Sequence, residues 1–157
     1  MNQILRTPPI GSNLHRLIFF SQAAALTGGE LDRDLQDIVQ ASIRNNHDAA
    51  VTGFLVAHQG WFLQAMEGPK PAVTATFERI CADPRHSAPK VIAARASEQR
   101  CFANWTLCAR RLDADDAAML KLFRMDQRFD PSRLNAKTAL ALLMSASQKP
   151  ARAILWL

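Results

Sequence analysis

The chain contains no tyrosine. No side chain in it can offer a phenolic O–H as a hydrogen-bond donor or as a source of a proton. Cysteine is scarce as well. Cys81, Cys101 and Cys108 cannot all pair, and neither a Cys-x-x-Cys nor a Cys/His metal spacing occurs. A reduced, cytoplasmic setting is therefore expected rather than a disulfide scaffold. No apolar run approaches the length that spans a bilayer, and the N-terminus lacks a long apolar stretch followed by a small-residue cleavage site. The Walker glycine loop, G-x-G-x-x-G, H-E-x-x-H and the nucleophile elbow are all missing. His47, His58 and His86 are too scattered to form a ligand set. These absences argue against an enzyme, a metalloprotein and a membrane protein. The net charge of +5 is dispersed. Arg95 to Arg111 is somewhat basic, but apolar positions and Glu98 break it, so it falls short of a nucleic-acid footprint.

What remains is a chain of 157 residues, 48% of them apolar, enough for one respectable core. It is organised around two short apolar runs, Phe54 to His58 and Trp61 to Met66, flanking Gln59-Gly60. Glycine accepts the positive φ that a tight hairpin turn demands, so the runs read as adjacent antiparallel strands. Alternation puts Trp61, Leu63 and Ala65 on one face and Phe62, Gln64 and Met66 on the other. Gln64 either faces water at a strand edge or lies among large apolar neighbours. In the second case its carboxamide needs partners, because an unpaired buried one costs about 1–3 kcal/mol.

Before the hairpin, Leu14 to Ser21 reads as a strand, and Ala23 to Glu30 as a small-residue connection. Leu31, Leu35, Ile38 and Val39 then follow helical spacing until Asn45-Asn46. Those paired amides either end the helix or display carboxamides into a groove beside it. After the hairpin, Val73, Phe77, Ile80 and Cys81 give a second amphipathic helix, which Asp83-Pro84 stops. His86 reads most simply as a loop residue. Val91 to Ala94 and Trp105 to Ala109 are the fourth and fifth strand candidates. The order strand, helix, two strands, helix, two strands predicts a ferredoxin-like α+β layer, with both crossover helices on one face of a mixed five-stranded sheet. In the tail, Ala114 to Phe123 and a stretch capped by Ser132 and running to about Ala146 predict two helices on the opposite face. The expected organisation is a lead over residues 1–13, a domain over 14–112 and a helical extension over 113–157, whose apolar end Ile154 to Leu157 docks in cis or on a partner.

These residues, in their order and spacing, resemble a BLUF domain, the blue-light-sensing module that uses a flavin. The resemblance covers roughly His15 to Leu112. It rests on His15 to Ser21, Arg44-Asn45-Asn46, Val51-Thr52-Gly53, Phe62-Leu63-Gln64 with Glu67-Gly68, Arg79-Ile80, Asp83-Pro84-Arg85-His86, and Phe102 with Trp105. Any one of these is weak, and their combination is specific. The resemblance implies a flavin, FAD ahead of FMN, held between the crossover helices. By likeness, Asn45 and Asn46 would bond the polar edge of its ring and Gln64 would reach its N5 or O4. Ile38 and Phe77 would flank the ring. Arg79, with Arg85 or His86 as weaker candidates, would meet the phosphate-bearing tail, where a planar guanidinium can make two charge-assisted bonds.

The sequence departs from the family at the position that matters most. The family places a tyrosine on the first strand, beside the glutamine, and that tyrosine supplies an electron and a proton to the excited flavin. Here the position is Phe19. Family members often carry Met two residues after the last tryptophan, in a segment associated with signal relay; here Leu107 follows Trp105-Thr106. The resemblance therefore implies a flavin-binding sensory or regulatory module with impaired photoactivity. The alternative is a degenerate BLUF-like interaction scaffold without a functional flavin. No downstream effector sequence is evident. Output is therefore expected through association, as a homo-oligomer or with a downstream regulatory protein.

Overall fold

The structure, a computed structural model, describes residues 14–25, 28–46, 48–103 and 107–148. The elements run β1 (Leu14–Ala23), α1 (Gly28–Asn46), β2 (Thr52–His58), β3 (Trp61–Pro69), α2 (Lys70–Ala82), β4 (His86–Ala96), β5 (Cys108–Arg111), α3 (Ala117–Leu122) and α4 (Ala136–Ser147). The strands form one mixed sheet in the order β4-β1-β3-β2-β5. Neighbours are antiparallel except β2 and β5, which are parallel. The first four strands and two helices have the ferredoxin-like arrangement, and β5 extends it beyond β2.

Gln59 and Gly60 close the β2–β3 hairpin with φ of 48° and 83°. Positive φ at both central residues matches the right-handed twist of the flanking strands. Gln59 has no glycine freedom, but its Oε1 accepts from Phe129 N at 2.9 Å, which ties the hairpin tip to the tail. Gly53 is required for a different reason. A Cβ there would meet the Ala65 carbonyl oxygen at 2.3 Å.

Alternation sorts the strands onto two layers. On one face α1 buries Leu31, Leu35 and Val39 against Leu55, Phe62 and Ala109, while α2 sets Val73 with Phe77 and Ile80 against Leu17, Phe19 and Met66. On the other face Ile18, Phe54, Val56 and Leu63 pack with Leu120, Phe129, Leu142 and Leu143 of the tail. Each such side chain contributes about 1.5–3 kcal/mol when withdrawn from water. The extension after Leu112 thus shares a core with the sheet.

Several boundaries differ from those expected, for identifiable reasons. β1 continues to Ala23 and α1 begins at Gly28 rather than Leu31, so the small-residue connection is shorter. β4 begins at His86, not Val91. Pro89 lies within it, which is tolerated because β4 is an edge strand, where no outward ladder donor is needed. β5 is shifted to Cys108–Arg111, and Trp105 lies outside the described residues, as do Ile154 to Leu157. The first tail helix is split into a 3-10 turn, Ala114–Asp116, followed by α3. Ser132 does not cap α4. Asn135 does, in a reciprocal box with Thr138, while Ser132 lies in a separate 3-10 turn capped by Asp130.

Candidate functional site

α1 and α2 lie side by side on the sheet, and a cleft opens between them. Ile38, Ala41 with Ser42, and Asn45 with Asn46 recur every three or four residues and line it from α1. Thr76, Arg79 and Ile80 line it from α2. Gln64 of β3 contributes from the sheet, and Asp83, Arg85 and His86 from the α2–β4 turn. The cleft encloses about 430 Å³, including the part open to solvent.

Gln64 is 2% exposed, which resolves its two possible settings in favour of burial. Its Oε1 has no hydrogen-bond partner among the described residues. Nearby hydroxyls are already committed, since Ser42 Oγ donates to the Ile38 carbonyl and Thr76 Oγ1 to the Ala72 carbonyl, both at 2.8 Å. An acceptor left so at the base of a cleft calls for a donor supplied from the cleft. Asn46 is buried and Asn45 exposed, so the paired amides both end α1 and border the cleft.

The cationic side chains divide by role. Arg79 is exposed, and its Nη2 donates to Thr76 Oγ1 at 3.1 Å. Arg85 lies in a forked ion pair with Asp83, Nη2 to Oδ2 at 2.6 Å. Burial alone would raise the Asp83 carboxyl, but its hydrogen bonds from Arg85 and that residue's charge hold it below the usual range.

His86 is not a loop residue, although it lines the cleft as expected. It opens β4, is buried, and lies with its ring centroid 4.9 Å from that of Phe62 and 6.1 Å from that of Phe19. Its Nδ1 is 2.8 Å from Ser21 Oγ. Burial pushes it down to about 4, against the pull of Asp83, so the imidazole is neutral near pH 7. Between its ordinary value near 6.5 and about 4, the unfolded chain binds a proton at His86 that the folded chain refuses. Stability therefore falls as pH falls through that window, by roughly 3 kcal/mol at its acid end, and levels off below it. Denaturant melts at pH 7 and pH 4.5 are expected to show a smaller acid loss in His86→Gln. An equal loss would contradict this setting for His86.

Three other expected residues lie elsewhere. Phe77 does not line the cleft. It packs edge-on against Phe19, ring centroids 5.1 Å apart, because its helical position faces the sheet, and Ile80 stands with Ile38 as an apolar wall instead. Phe19 is fully buried and lies directly opposite Gln64 in the β1–β3 register. Leu107 is buried beneath α1, just ahead of β5. The cleft residues missed by sequence reading, Ala41, Ser42, Thr76, Ile80 and Asp83, lie three or four positions from residues that were found; that spacing was the available signal. Among the described residues no group of metal ligands forms, and no helix is long and apolar enough to cross a membrane.

Comparisons with known proteins bear on this geometry. Residues 14–108, more than half of the chain, match the family model described as BLUF, sensors of blue-light using FAD. Photoactivated adenylate cyclase subunit beta of Euglena gracilis is 36% identical over 75 residues, covering 47% of this chain and 9% of that protein. The blue light- and temperature-regulated antirepressor BluF of Escherichia coli (strain K12) is 35% identical over 54 residues, covering 34% and 13% respectively. The chain thus spans only 9% to 13% of the length of these curated relatives. Among solved structures, BlsA in its photo-activated state superposes with a TM-score of 0.73 at 24% identity, over 84% of this chain and 93% of that one, a likeness of fold. The dark-state structure of the BLUF protein BlrB gives 0.69 at 25% identity, over 86% and 95%. With the ferredoxin-like sheet, the cleft between the crossover helices and the buried glutamine at its base, the chain belongs to the BLUF family.

Proposed function

We propose that the chain is a flavin-binding sensory or regulatory module of the blue-light photoreceptor type, whose ordinary photoactivity is impaired at Phe19. The observation that carries this is Gln64 Oε1, buried at the base of the α1–α2 cleft and without a partner among the described residues. The residues present fit a flavin. Ile38 and Ile80 provide apolar walls for a flat ring. Asn45 and Asn46 offer carboxamides to a polar ring edge, and Gln64 can turn either its acceptor or its donor end into the cleft. Arg79, free of any carboxylate partner among the described residues, suits a phosphate-bearing tail, which favours FAD or FMN over a bare ring. Arg85 and His86 line the same cleft and are the weaker candidates for that tail, Arg85 being paired with Asp83 and His86 neutral near pH 7.

When bound, the flavin supplies absorption of blue light and an excited state that accepts an electron and a proton. Phe19 can give neither readily, and it makes no hydroxyl bond to Gln64. Relatives are named as a photoactivated cyclase subunit and as an antirepressor, but this chain matches only small parts of them. Its own output is assigned to association, either as a homo-oligomer or with a downstream regulatory protein, in the cytoplasm and without catalysis. Titration with FAD, followed by quenching of flavin fluorescence, tests the site. Gln64→Leu and Asn46→Leu are each expected to weaken binding roughly tenfold, the effect of losing one buried hydrogen-bonding group. Unchanged affinity in both variants, with the fold intact, would contradict the reading.

A further inference from the structure

A second cleft lies on the opposite face of the sheet, between the N-terminal half of α4 and strands β1 and β4, and encloses about 440 Å³ including its open part. Its floor is apolar, made by Ile18, Ala93 and Leu140, and its exposed rim carries Arg95 and Lys137. Arg16 also borders it, but its guanidinium is turned to Glu67, with Nη2 at 2.8 Å. Among the described residues no carboxylate lines the cleft.

The cleft adjoins an open sheet edge. β4 pairs only with β1, so its outward N–H and C=O groups, Pro89 offering no N–H, have no ladder partner among the described residues. The same strand exposes Lys90 and Val91, the latter 47% exposed. An unpaired edge recognises an extended chain through main-chain bonds, and pockets beside it select alternate side chains.

We propose that the β4 edge and the cleft between β4 and α4 dock an extended, acidic segment of a partner protein. An apolar side chain of that segment fills the floor at Ile18, Ala93 and Leu140, and its carboxylates face Arg95 and Lys137. Charge selects this occupant over a second copy of the chain. Pairing two β4 edges would bring Lys90 and Arg95 of one copy toward the same cations of the other, and like charges across strands oppose pairing. The surface lies on the sheet face away from the α1–α2 cleft, so the proposal does not depend on a flavin.

The test is selection of random displayed peptides of about ten residues, long enough to cover the edge strand, against the full chain. The expected winners alternate Asp or Glu with apolar residues. Their synthetic forms should bind about tenfold more weakly to Arg95→Glu/Lys137→Glu, with an intermediate loss for Arg95→Gln/Lys137→Gln. Bound peptide should also slow amide hydrogen exchange along β4. Both side chains are exposed, so the variants should keep their unfolding curves and their flavin content, which separates this test from the flavin site. The proposal is overturned if no peptide is enriched or the winners lack acidic bias. It is also overturned if the variants bind equally well, if protection falls elsewhere, or if sedimentation reveals a homodimer that these substitutions dissolve.

Discussion

Phe19→Tyr is expected to give this chain a stable, reversible red-shifted flavin spectrum after blue light, a product the present sequence does not form at comparable yield. The argument is local. Phe19 is fully buried and pairs directly with Gln64 across β1 and β3, so the two side chains are neighbours on one face. Gln64 Oε1 lacks a partner among the described residues. A hydroxyl added to the Phe19 ring enters a region that already contains an unmet acceptor and supplies the missing phenolic proton. Burying it beside Gln64 avoids the roughly 1–3 kcal/mol that a lone buried hydroxyl would cost. Binding itself needs the ring walls and the amides, not the phenol, so both proteins should carry flavin. The measurement is a dark-minus-light difference spectrum of the chain and its variant side by side. Equal yield of the red-shifted product in both would show that Phe19 is no block. It would then point to Trp105 or a direct flavin–glutamine route.

Asp116→Ala is expected to cost about 3–5 kcal/mol of stability, the scale for stranding one member of a buried ion pair. Arg110 in β5 and Asp116 in the 3-10 turn before α3 are 1% and 0% exposed, with Nη2 2.5 Å from Oδ1. Arg110 Nη1 reaches the Ala146 carbonyl in α4 at 3.3 Å, while its Nε is buried without a partner among the described residues. Asp116 Oδ2 also accepts from Asp113 N at 3.0 Å. The pair therefore pins both tail helices to the edge strand, and its loss leaves a guanidinium in an apolar layer. For a chain of this size the change corresponds to a fall in Tm on the order of 10 °C. The molecule contains its own control. Arg111 and Asp32 pair at 3.3 Å but are 42% and 40% exposed, so Asp32→Ala should cost no more than about 1 kcal/mol. Equal, small effects at both sites in urea melts would contradict the proposed latch.

The succession of elements and the β2–β3 hairpin were legible because alternation and the Gln59-Gly60 turn are short-range signals, whereas the parallel pairing of β5 with β2 is long-range and was not. The two-face arrangement followed from which side chains alternation made apolar. The β4 boundary was not legible. An edge strand exposed on much of its surface has no strong alternation. The caps were also missed at α4, since Ser132 and Asn135 are both good cap residues and only the chain path decides between them. At the site, Gln64, Ile38, Asn45, Asn46, Arg79 and Arg85 could be named because a family resemblance assigned them, and all six line one cleft. His86 lines it too, but as a buried strand residue rather than a loop one, and Phe77 turns to the sheet instead, because both environments are set by the packing of β1 and β3 behind them. The orphaned Gln64 Oε1, which carries the functional reading, has no sequence signature at all.

The central claim is that this fold holds a flavin, and the most direct measurement is chemical. The purified full chain is denatured in the dark, and the released chromophore is separated by chromatography against FAD and FMN standards. The account predicts a yellow protein releasing FAD, or a colourless one that takes up added FAD in near-equal amount. A protein that releases no flavin and binds neither FAD nor FMN when they are supplied would contradict it, leaving a BLUF-like scaffold that acts only through protein contacts.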